Sequence, residues 1–300
     1  MSKKKNENNN EIISPSRMVF NRLKKNKLAM FGLFLIVAMI LICFVGPLFV
    51  KYDYNTQTND IQVGFMVNGH ILGTDKLGRD ILTRLMYGGR ISILVGLVSV
   101  AIEMIIGTLV GAIAGYYGGK VDTALMALAD IWMSLPFLPV IIILGSILSA
   151  LQVAPKVRVI YLIVVMGILS WGSIARLVRG EILTLREQEF MQATEALGLR
   201  DSRKIIRHLI PNVIPILIVN ATLGVGSFII TESALSYLGV GITEPIPSWG
   251  NMINAANSQA NLEKRPWLWI PPGVCILLIT LGFNLFGDAL RDALDPKKNR

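Results

Sequence analysis

Residues 189–211 read Glu-Phe-Met-Gln-Ala-Thr-Glu-Ala-Leu-Gly-Leu-Arg-Asp-Ser-Arg-Lys-Ile-Ile-Arg-His-Leu-Ile-Pro, a polar stretch between two strongly apolar segments. Good helix formers fill its first half and begin just before it, from Glu187 to Leu197. Their spacing predicts that four side chains share one helical face: Phe190, Ala193, Thr194 and Leu197. The stretch is therefore expected to begin with a short amphipathic helix.

The second half of this stretch predicts a bend and a second helix. Gly198 stands where a helix ends in a left-handed residue, and Leu199 is placed for the hydrophobic contact that accompanies such an end. Asp201 is a good N-cap for a second helix over Ser202–Ile210, and Pro211 marks the entry into the next apolar segment. We expect a helical hairpin over 186–211 that is either a solvated connector or a rigid handle for a soluble protein.

Composition places this hairpin in a membrane protein. The chain has 300 residues, of which 53% are hydrophobic and 16% are charged, and its mean hydropathy is +0.56. These values are too apolar for an ordinary soluble domain. The two cysteines, Cys43 and Cys275, lie inside apolar runs, so we expect neither a disulfide framework nor a metal cluster.

Apolar stretches of the roughly 20 residues needed to cross a bilayer occur six times. They lie at Leu28–Val50, Ile91–Gly115, Leu125–Leu151, Val159–Ala175, Asn212–Leu235 and Leu268–Leu290. The predicted fold is an all-α integral membrane protein with six transmembrane helices, in which a first span, 28–50, precedes a core of five helices over 90–290. An even number of crossings places both termini on the same side of the membrane.

The distribution of Lys and Arg predicts which side that is. With both termini inside, the inner segments hold 20 of these residues and the outer segments hold 8. The tails 1–27 and 291–300 carry net charges of +6 and +2. Cytoplasmic segments of membrane proteins are rich in Lys and Arg, so we expect an N-in, C-in multi-pass protein whose basic tails face the lipid bilayer, with no nucleic acid partner.

Two segments on the predicted outer side are too long to be plain connectors. The segment 51–89 is turn-rich and is predicted to end in a short amphipathic helix, Ile81–Tyr87, before the second span. The loop 236–267 contains several Gly and Pro turn signals. Within the third span, Pro136 and Pro139 predict a kink of the kind that transmembrane helices tolerate.

Three carboxylates inside the predicted spans are candidates for a translocation path, because charged groups within a membrane are often functional. Glu103 falls near the middle of the second span. It either lines a cavity and meets an amino terminus or a basic side chain, or is buried against a neighbouring helix or subunit. Asp130 lies in the first turns of the third span, where capping or packing is favoured over substrate contact. Glu232 lies late in the fifth span and either lines a cavity or anchors the outer loop; we favour the anchor.

The sequence contains no recognisable catalytic set. Gly118-Gly-Lys120 lacks both the upstream glycine and the following Ser or Thr of a phosphate-binding loop, and a tight turn between two spans explains it better. The two histidines, His70 and His208, are predicted on opposite sides of the membrane and cannot share a site. We therefore expect a chain that is not an enzyme and binds no metal or cofactor itself.

The hairpin also carries a spaced motif. Gln192-Ala-Thr is followed after three residues by Gly198 and, after nine more, by His208-Leu-Ile-Pro211. This pattern resembles the EAA loop of ABC-importer permeases. Further motifs, over 72–80, 115–119, 232–241, 247–250 and 283–296, resemble the C-type permease subunit of oligopeptide and dipeptide importers of the peptide/nickel type.

The resemblance implies a type I ABC importer permease fold in a bacterial cell membrane. It implies a second, B-type permease as heterodimer partner, two cytoplasmic ATPases that bind ATP and Mg, and an extracytoplasmic peptide-binding protein. The ATPase-coupling loop would consist of Gln192, Ala193, Thr194, Glu195, Ala196, Leu197, Gly198, Leu199, Asp201 and Pro211. Because Gln192 stands where the family pattern has Glu, shape and apolar contact are expected to carry the coupling more than charge.

The resemblance leaves open alternatives for the substrate and for the mechanism. A peptide is favoured, because the chain has no run of His, Cys or Met ligands that would suit a metal. Nickel or another small solute is the alternative substrate, since peptide and nickel importers share these permease motifs. The alternative mechanism is a stand-alone secondary transporter or channel, which would move its solute without an ATPase.

Overall fold

A computed structural model describes residues 15–294, so the predicted tails 1–27 and 291–300 fall only partly within the described range. This range is helical and contains no extended strand. Its α-helices are α1 (Pro15–Lys25), α2 (Lys27–Phe44), α3 (Ile81–Tyr117), α4 (Gly119–Ser134), α5 (Phe137–Ala150), α6 (Pro155–Arg186), α7 (Glu189–Ala196), α8 (Asp201–Lys204), α9 (Ile210–Tyr237), α10 (Trp249–Ile253), α11 (Gln259–Lys264) and α12 (Ile270–Leu294). Shorter turns are the 3₁₀ segments Gly46–Leu48, Asn254–Asn257 and Pro266–Leu268 and the π-helical turn Ile205–Leu209.

Several of these helices are long and apolar enough to cross a membrane. Within the described range there are five such spans: Lys27–Leu48, Ile81–Tyr117, Pro155–Arg186, Asp201–Tyr237 and Ile270–Leu294. The helices α4 and α5 qualify only as a pair, and they meet at an angle of 68°. Whether this pair makes one crossing decides between five and six spans.

The packing of α6 on α3 bears on whether α4 and α5 form one crossing. Ser99, in the first half of α3, donates a hydrogen bond to the carbonyl oxygen of Ile163 in α6 at 3.1 Å. Near the end of α3, a Cβ added to Gly115 would lie only 2.9 Å from Cβ of Ile182. Residue numbers rise together along both helices, so α3 and α6 run parallel. The chain between them must return across the bundle through α4 and α5, which agrees with the six predicted crossings, and the described residues hold five to six candidate spans.

The packing of α9 on α3 has the opposite sense. Ser92 of α3 bonds to Glu232 of α9, and further along α3 a Cβ on Gly96 would lie 2.9 Å from a side-chain carbon of Ile229. From one contact to the next, the residue numbers rise along α3 and fall along α9, so the two helices are antiparallel. Glycines at these contacts let the helices approach closely, as small residues do in membrane bundles.

Both ends of the described chain lie at one end of the bundle. Nη1 of Arg22 in α1 donates to the carbonyl oxygen of Ala293 in α12 at 3.2 Å. The predicted tight turn is found there too, with Gly118 and Gly119 at φ 65° and 51°. We call this end the hairpin face, because α7 and α8 lie on it, and we call the opposite end the loop face. That the hairpin face is cytoplasmic stays a prediction.

The predicted break between a short helix, Ile81–Tyr87, and the second span is wrong. The helix α3 runs without interruption from Ile81 to Tyr117. Gly88 and Gly89 lie at the expected break, and a Cβ added to Gly89 would stand 2.3 Å from Sγ of Cys43 in α2. A glycine lowers helix stability by roughly 1 kcal/mol, and the close packing of α2 against α3 at this position offsets that cost. These glycines therefore serve helix packing, and the helix does not end at them.

Prolines set the ends of two predicted spans. The helix α2 stops at Phe44, before the predicted end at residue 50, because Pro47 lacks the N–H that would continue the helix. The third span is broken where a kink was expected. Leu135 is extended, with φ −67° and ψ 127°, as residues before a proline prefer, and Pro136 precedes the start of α5. Pro139 lies in the first turn of α5, where no N–H donor is needed.

An ion-pair cluster joins the two long segments of the loop face. Arg79 donates from Nη1 to Glu244 at 2.6 Å and from Nε to Asp75 at 2.7 Å. Arg84, in the first turn of α3, donates to the same Glu244 at 2.9 Å. Burial lowers the pKa of Arg79, but the hydrogen bonds to Glu244 and Asp75 outweigh that effect, so its pKa lies above the usual value. The cluster therefore holds the segment before α3 against the loop that follows α9.

Candidate functional site

The bend of the hairpin is built as the sequence predicts. Gly198 has φ 64°, the left-handed conformation that favours glycine. Its N–H donates to the carbonyl oxygen of Glu195 at 2.9 Å, and the N–H of Leu199 donates to that of Thr194 at 3.2 Å. These two bonds form a Schellman motif, which satisfies carbonyl groups that the end of α7 leaves free. The bend therefore has one defined geometry.

The predicted N-cap role of Asp201 is wrong. Arg200 precedes the helix in the cap position, and Asp201 is the first helical residue. The Asp201 carboxylate instead accepts a hydrogen bond from the hydroxyl of Tyr116 at 2.6 Å. Tyr116 lies at the end of α3, so Asp201 ties the hairpin to the bundle. A partner this distant in sequence leaves no local signal.

The second helix of the hairpin is continuous with the span that follows it. The sequence predicts a separate helix, Ser202–Ile210, ended by Pro211, whereas residues Asp201–Tyr237 form one helix. The π-helical turn Ile205–Leu209 lies just before the proline. A wider turn relieves the clash between a proline ring and the carbonyl group one turn earlier, so the helix can pass through Pro211.

The exposed side of the hairpin differs from the predicted apolar face. Met191 and Thr194 are buried, and Met191 belongs to a hydrophobic cluster with Ile205 and other residues of α3, α6 and α9. Leu197, which was expected on the buried face, is 76% exposed, and Ile206 is 66% exposed. The remaining exposed residues of the predicted coupling loop are Gln192, Ala193, Glu195, Ala196, Gly198, Asp201 and Pro211, and Leu199 is partly exposed. The hairpin thus presents two large apolar side chains to its surroundings.

A cavity of about 530 Å³ lies between α3, α4, α6 and α9. Apart from the indole of Trp132, its polar wall residues are Glu103, Ser170, Ser173, Asn220, Ser227 and Thr231. Met133 and Leu135 line it and are 41% and 42% exposed, so the cavity opens at the side of the bundle. A cavity of this size is within the range of small-molecule sites.

Among the residues that the structure describes, Glu103 is the one ionisable residue on this cavity wall. Ser173 of α6 lies on the same wall, and Oε2 of Glu103 stands 3.8 Å from the position that a Cβ on Gly224 of α9 would occupy. The residue is only 7% exposed. Glu103 therefore combines features of the two sequence alternatives, since it is packed between helices and also lines the cavity.

Glu232 lies in a different environment. It is fully buried, and it accepts hydrogen bonds from the hydroxyls of Ser92 at 2.8 Å and Ser236 at 2.7 Å. The same hydroxyl oxygens accept bonds from the backbone N–H groups of Trp249 at 3.2 Å and Ile242 at 2.9 Å. Glu232 is absent from the wall of the 530 Å³ cavity. The geometry therefore favours the anchoring role for the outer loop.

Replacing Glu232 with Ala is expected to loosen the loop face. The hydroxyls of Ser92 and Ser236 would lose their acceptor, at a cost of about 1–3 kcal/mol for each unsatisfied buried group. Thermal unfolding of the protein in detergent should show a lower midpoint, and limited proteolysis should cut faster within 238–269. Glu263→Ala, which removes an exposed carboxylate of α11, is the control and should leave both readouts unchanged. An unchanged midpoint in Glu232→Ala would contradict the anchor.

Asp130 is paired with a cation and does not line the cavity. Its carboxylate forms an ion pair with Arg176 of α6, and both side chains are about half exposed. A second pair, Asp122 with Arg179 at 2.5 Å, lies nearer the start of α4. Asp130 is absent from the cavity wall, so its contacts fit the packing role between α4 and α6.

Comparison with known sequences assigns the family. The profile of the "binding-protein-dependent transport system inner membrane component" matches residues 107–300. The profile of the "N-terminal TM domain of oligopeptide transport permease C" matches residues 14–65. The chain belongs to the family of binding-protein-dependent permeases.

Individual relatives place the permease in the branch of peptide permeases of the C type. It is 42% identical over 279 residues to the oligopeptide transport system permease protein of Bacillus subtilis. The aligned region covers 92% of this chain and 88% of that protein. It is 40% identical over 286 residues to the dipeptide transport system permease protein of Alkalihalophilus pseudofirmus, with 95% and 91% covered. The counterpart from Haemophilus influenzae is 38% identical over 278 residues. The resemblance to C-type permeases is confirmed.

Most of the polar residues on the cavity wall of the permease were missed from the sequence. Isolated Ser, Thr and Asn residues in apolar runs are ordinary in membrane helices, where their hydroxyls and amides can bond to the backbone of the same helix. A signal was nevertheless present in α9, where Asn220, Gly224, Ser227 and Thr231 follow one another at intervals of three or four residues. Residues at this spacing share one helical face.

Proposed function

We propose that this permease is the C-type transmembrane subunit of an ATP-driven importer that moves di- and oligopeptides into the cytoplasm. The observation that carries the proposal is the hairpin, a capped helix pair with exposed Leu197 and Ile206 that continues directly into α9. Exposed apolar side chains on a polar surface are typical of a protein contact site. In this family the contact would be with a cytoplasmic ATPase.

The predicted orientation would place the hairpin where an ATPase can reach it. The excess of Lys and Arg on the segments of the hairpin face supports an N-in, C-in arrangement in a bacterial plasma membrane. The loop face, held together by Glu244 and its arginines, would then receive the extracytoplasmic peptide-binding protein. ATP and Mg would be bound by the two partner ATPases.

The open side of the cavity supports pairing with a second permease. The rim residues Met133 and Leu135 are exposed and apolar, and a B-type permease packed beside them would cover them and complete the cavity wall. The heterodimer would then enclose a peptide between two half-cavities. Without such a partner, Met133 and Leu135 leave this side of the cavity open.

The continuous helix from the hairpin into α9 offers a route for movement. Asn220, Ser227 and Thr231 lie on this helix and on the cavity wall. Closure of the ATPases on ATP would displace the hairpin and carry these residues with it. Access to the cavity would switch from the inner to the outer side, as in other rigid-body transitions.

Peptide is the proposed substrate because the names of the relatives specify oligopeptide and dipeptide transport. Nickel or another small solute is the alternative. Among the described residues, no group of three or more His, Cys, Asp or Glu side chains is placed to hold a metal ion. Uptake of a labelled dipeptide, compared with uptake of radioactive nickel by the same reconstituted complex, separates the two.

A stand-alone secondary transporter or channel is the second candidate function. Glu103 on the cavity wall would also suit an ion-coupled carrier, because intramembrane carboxylates often carry protons or cations. We favour the ATPase-driven importer because a carrier that works alone would have no partner protein to cover the exposed side chains of Leu197 and Ile206.

Replacing both Leu197 and Ile206 with Asp is expected to detach the ATPases from the permease. Burying such a side chain contributes about 1.5–3 kcal/mol, and the substitution also introduces charge into the contact. The measurement is recovery of the ATPases with the tagged permease in mild detergent. Leu262→Asp is the matched control, because Leu262 is an exposed leucine on the loop face and its replacement should leave the complex intact.

Two outcomes would contradict this proposal. The wild-type permease, expressed with the genes beside it, could bring down no ATPase in a detergent that preserves complexes. The purified chain alone could also move solute in response to an ion gradient and without regard to ATP, which would establish the secondary transporter or channel.

A further inference from the structure

Glu103 in α3 and Glu232 in α9 differ in how fully their carboxylates are hydrogen-bonded. Glu232 accepts bonds from two hydroxyls and is shut off from the cavity. Glu103 shares the cavity wall with Ser173, but the Ser173 hydroxyl donates to the carbonyl oxygen of Ser170 at 3.2 Å. A hydroxyl has one proton to donate, whereas a carboxylate can accept about four hydrogen bonds. Glu103 therefore retains acceptor capacity on the cavity wall.

The other polar groups around Glu103 also offer acceptors. The hydroxyls of Ser170 and Thr231 donate to carbonyl groups of their own helices at 2.9 Å and 2.8 Å. The amide nitrogen of Asn220 donates to the carbonyl of Ile216 at 2.8 Å. The two hydroxyl protons are thus used within the helices, Asn220 keeps one N–H free, and the oxygen lone pairs are left for a ligand. The wall includes no Lys, Arg or His among the described residues.

Space for a ligand is left beside the carboxylate. A Cβ on Gly224 of α9 would lie 3.8 Å from Oε2 of Glu103, and because this residue is a glycine, no side chain from that position covers the carboxylate. A wall that combines one carboxylate, several acceptor oxygens and no cation favours a positively charged donor group. An ammonium group, which carries three N–H donors and no acceptor, matches this arrangement.

We propose that Glu103 recognises the ammonium group of a peptide during its passage through the cavity. This proposal rests on the proposed function and adds a specificity-determining residue to it. The ammonium group comes either from the amino terminus of the peptide or from a lysine side chain. A divalent metal ion is a poorer match, because over residues 15–294 Glu103 is the one carboxylate of the wall and no His or Cys accompanies it.

Binding to the purified complex tests the proposal without interference from the binding protein, which is left out. The probes are a labelled dipeptide with a free amino terminus, its N-acetylated analogue, and an N-acetylated dipeptide that contains lysine. In Glu103→Gln, binding of the free dipeptide is expected to weaken by roughly tenfold, which corresponds to about 1.4 kcal/mol. Binding of the N-acetylated analogue should not change. Glu103→Asp, which keeps the carboxylate, should recover part of the loss.

The lysine-containing probe separates the two sources of the ammonium group. Binding of this probe that depends on Glu103 would show that a side chain also serves, and binding independent of Glu103 would assign recognition to the amino terminus. Equal weakening for the free and the N-acetylated dipeptide would overturn the proposal, and so would no weakening for any of the three probes. Nickel binding that is lost in Glu103→Gln and that displaces the dipeptide would overturn it as well.

A separate measurement keeps this proposal distinct from the proposed function. Wild-type complex with its binding protein should take up the free dipeptide on addition of ATP. If it takes up no peptide, the proposed function fails, whatever Glu103 does. If it does take up peptide and Glu103→Gln binds all three probes as wild type does, only the role of Glu103 fails.

Discussion

Gly198→Val is expected to lower peptide uptake strongly while the permease still inserts and assembles. Gly198 has φ 64° and no atom within 4 Å of an added Cβ, so the substitution introduces backbone strain and no collision. A non-glycine residue in this conformation costs about 1–2 kcal/mol, and a β-branched residue costs more. The short hairpin depends on the Schellman bonds at Gly198, so it would leave this conformation and move Leu197 away from its contact site. Uptake should fall roughly tenfold or more, with ATP hydrolysis no longer responding to substrate.

A series of substitutions at Gly198 tests whether backbone strain, and not the mere replacement of glycine, causes the loss of uptake. Asn tolerates the left-handed conformation better than other non-glycine residues, so Gly198→Asn should retain most uptake and Gly198→Ala should be intermediate. Gly239→Val is the positional control, because Gly239 has φ 80° and equal space but lies on the loop face. It should leave ATP hydrolysis coupled to substrate. Normal coupled uptake by Gly198→Val would show that the shape of the hairpin is not what couples the permease to its ATPase.

Gly111→Leu is expected to prevent the bundle from forming. A Cβ at Gly111 would stand 2.4 Å from the carbonyl oxygen of Ala175 and 2.8 Å from Cβ of Val178, both in α6. A backbone oxygen cannot turn aside as a side chain can, so α3 and α6 would have to separate along their contact. Overpacking usually costs about 1–3 kcal/mol, and we expect this site to reach or exceed the upper value. The yield of monodisperse protein in detergent and the thermal midpoint measure the effect.

Gly180→Leu provides the matched control for this substitution. Gly180 lies in α6, is exposed, and has no atom within 4 Å of an added Cβ. The same chemical change should therefore be tolerated there, with a small gain from helix propensity. If Gly111→Leu accumulates and unfolds like the wild-type protein, the close parallel packing of α3 on α6 is wrong.

Features that depend on neighbouring residues were predicted well. The left-handed bend at Gly198 follows from bonds among residues 194–199, which form within one helix end. The turn at Gly118-Gly119 is local in the same sense. The membrane spans follow from runs of apolar residues, because any such run must be helical to satisfy its backbone in lipid. The prediction of helix ends failed at Gly88, Gly89 and Pro211. Glycine and proline end helices elsewhere in the chain, but the helices continue through these three residues.

Features that depend on contacts between distant helices were not predictable. Asp201 was expected to cap a helix, yet its partner is Tyr116, and Glu103 faces an open cavity whereas Glu232 is enclosed. Nothing in the neighbouring residues distinguishes these cases.

Apolar runs, charge counts and helix-end chemistry act over a few residues, so the chain alone specifies six helices, a bent polar hairpin and a preferred orientation. The parallel packing of α3 on α6, the helix that runs unbroken through Pro211, and the single carboxylate on the cavity wall arise only when distant helices meet. Contacts between such helices depend on which face each one presents to the others, and that choice is made by the packing of the whole bundle.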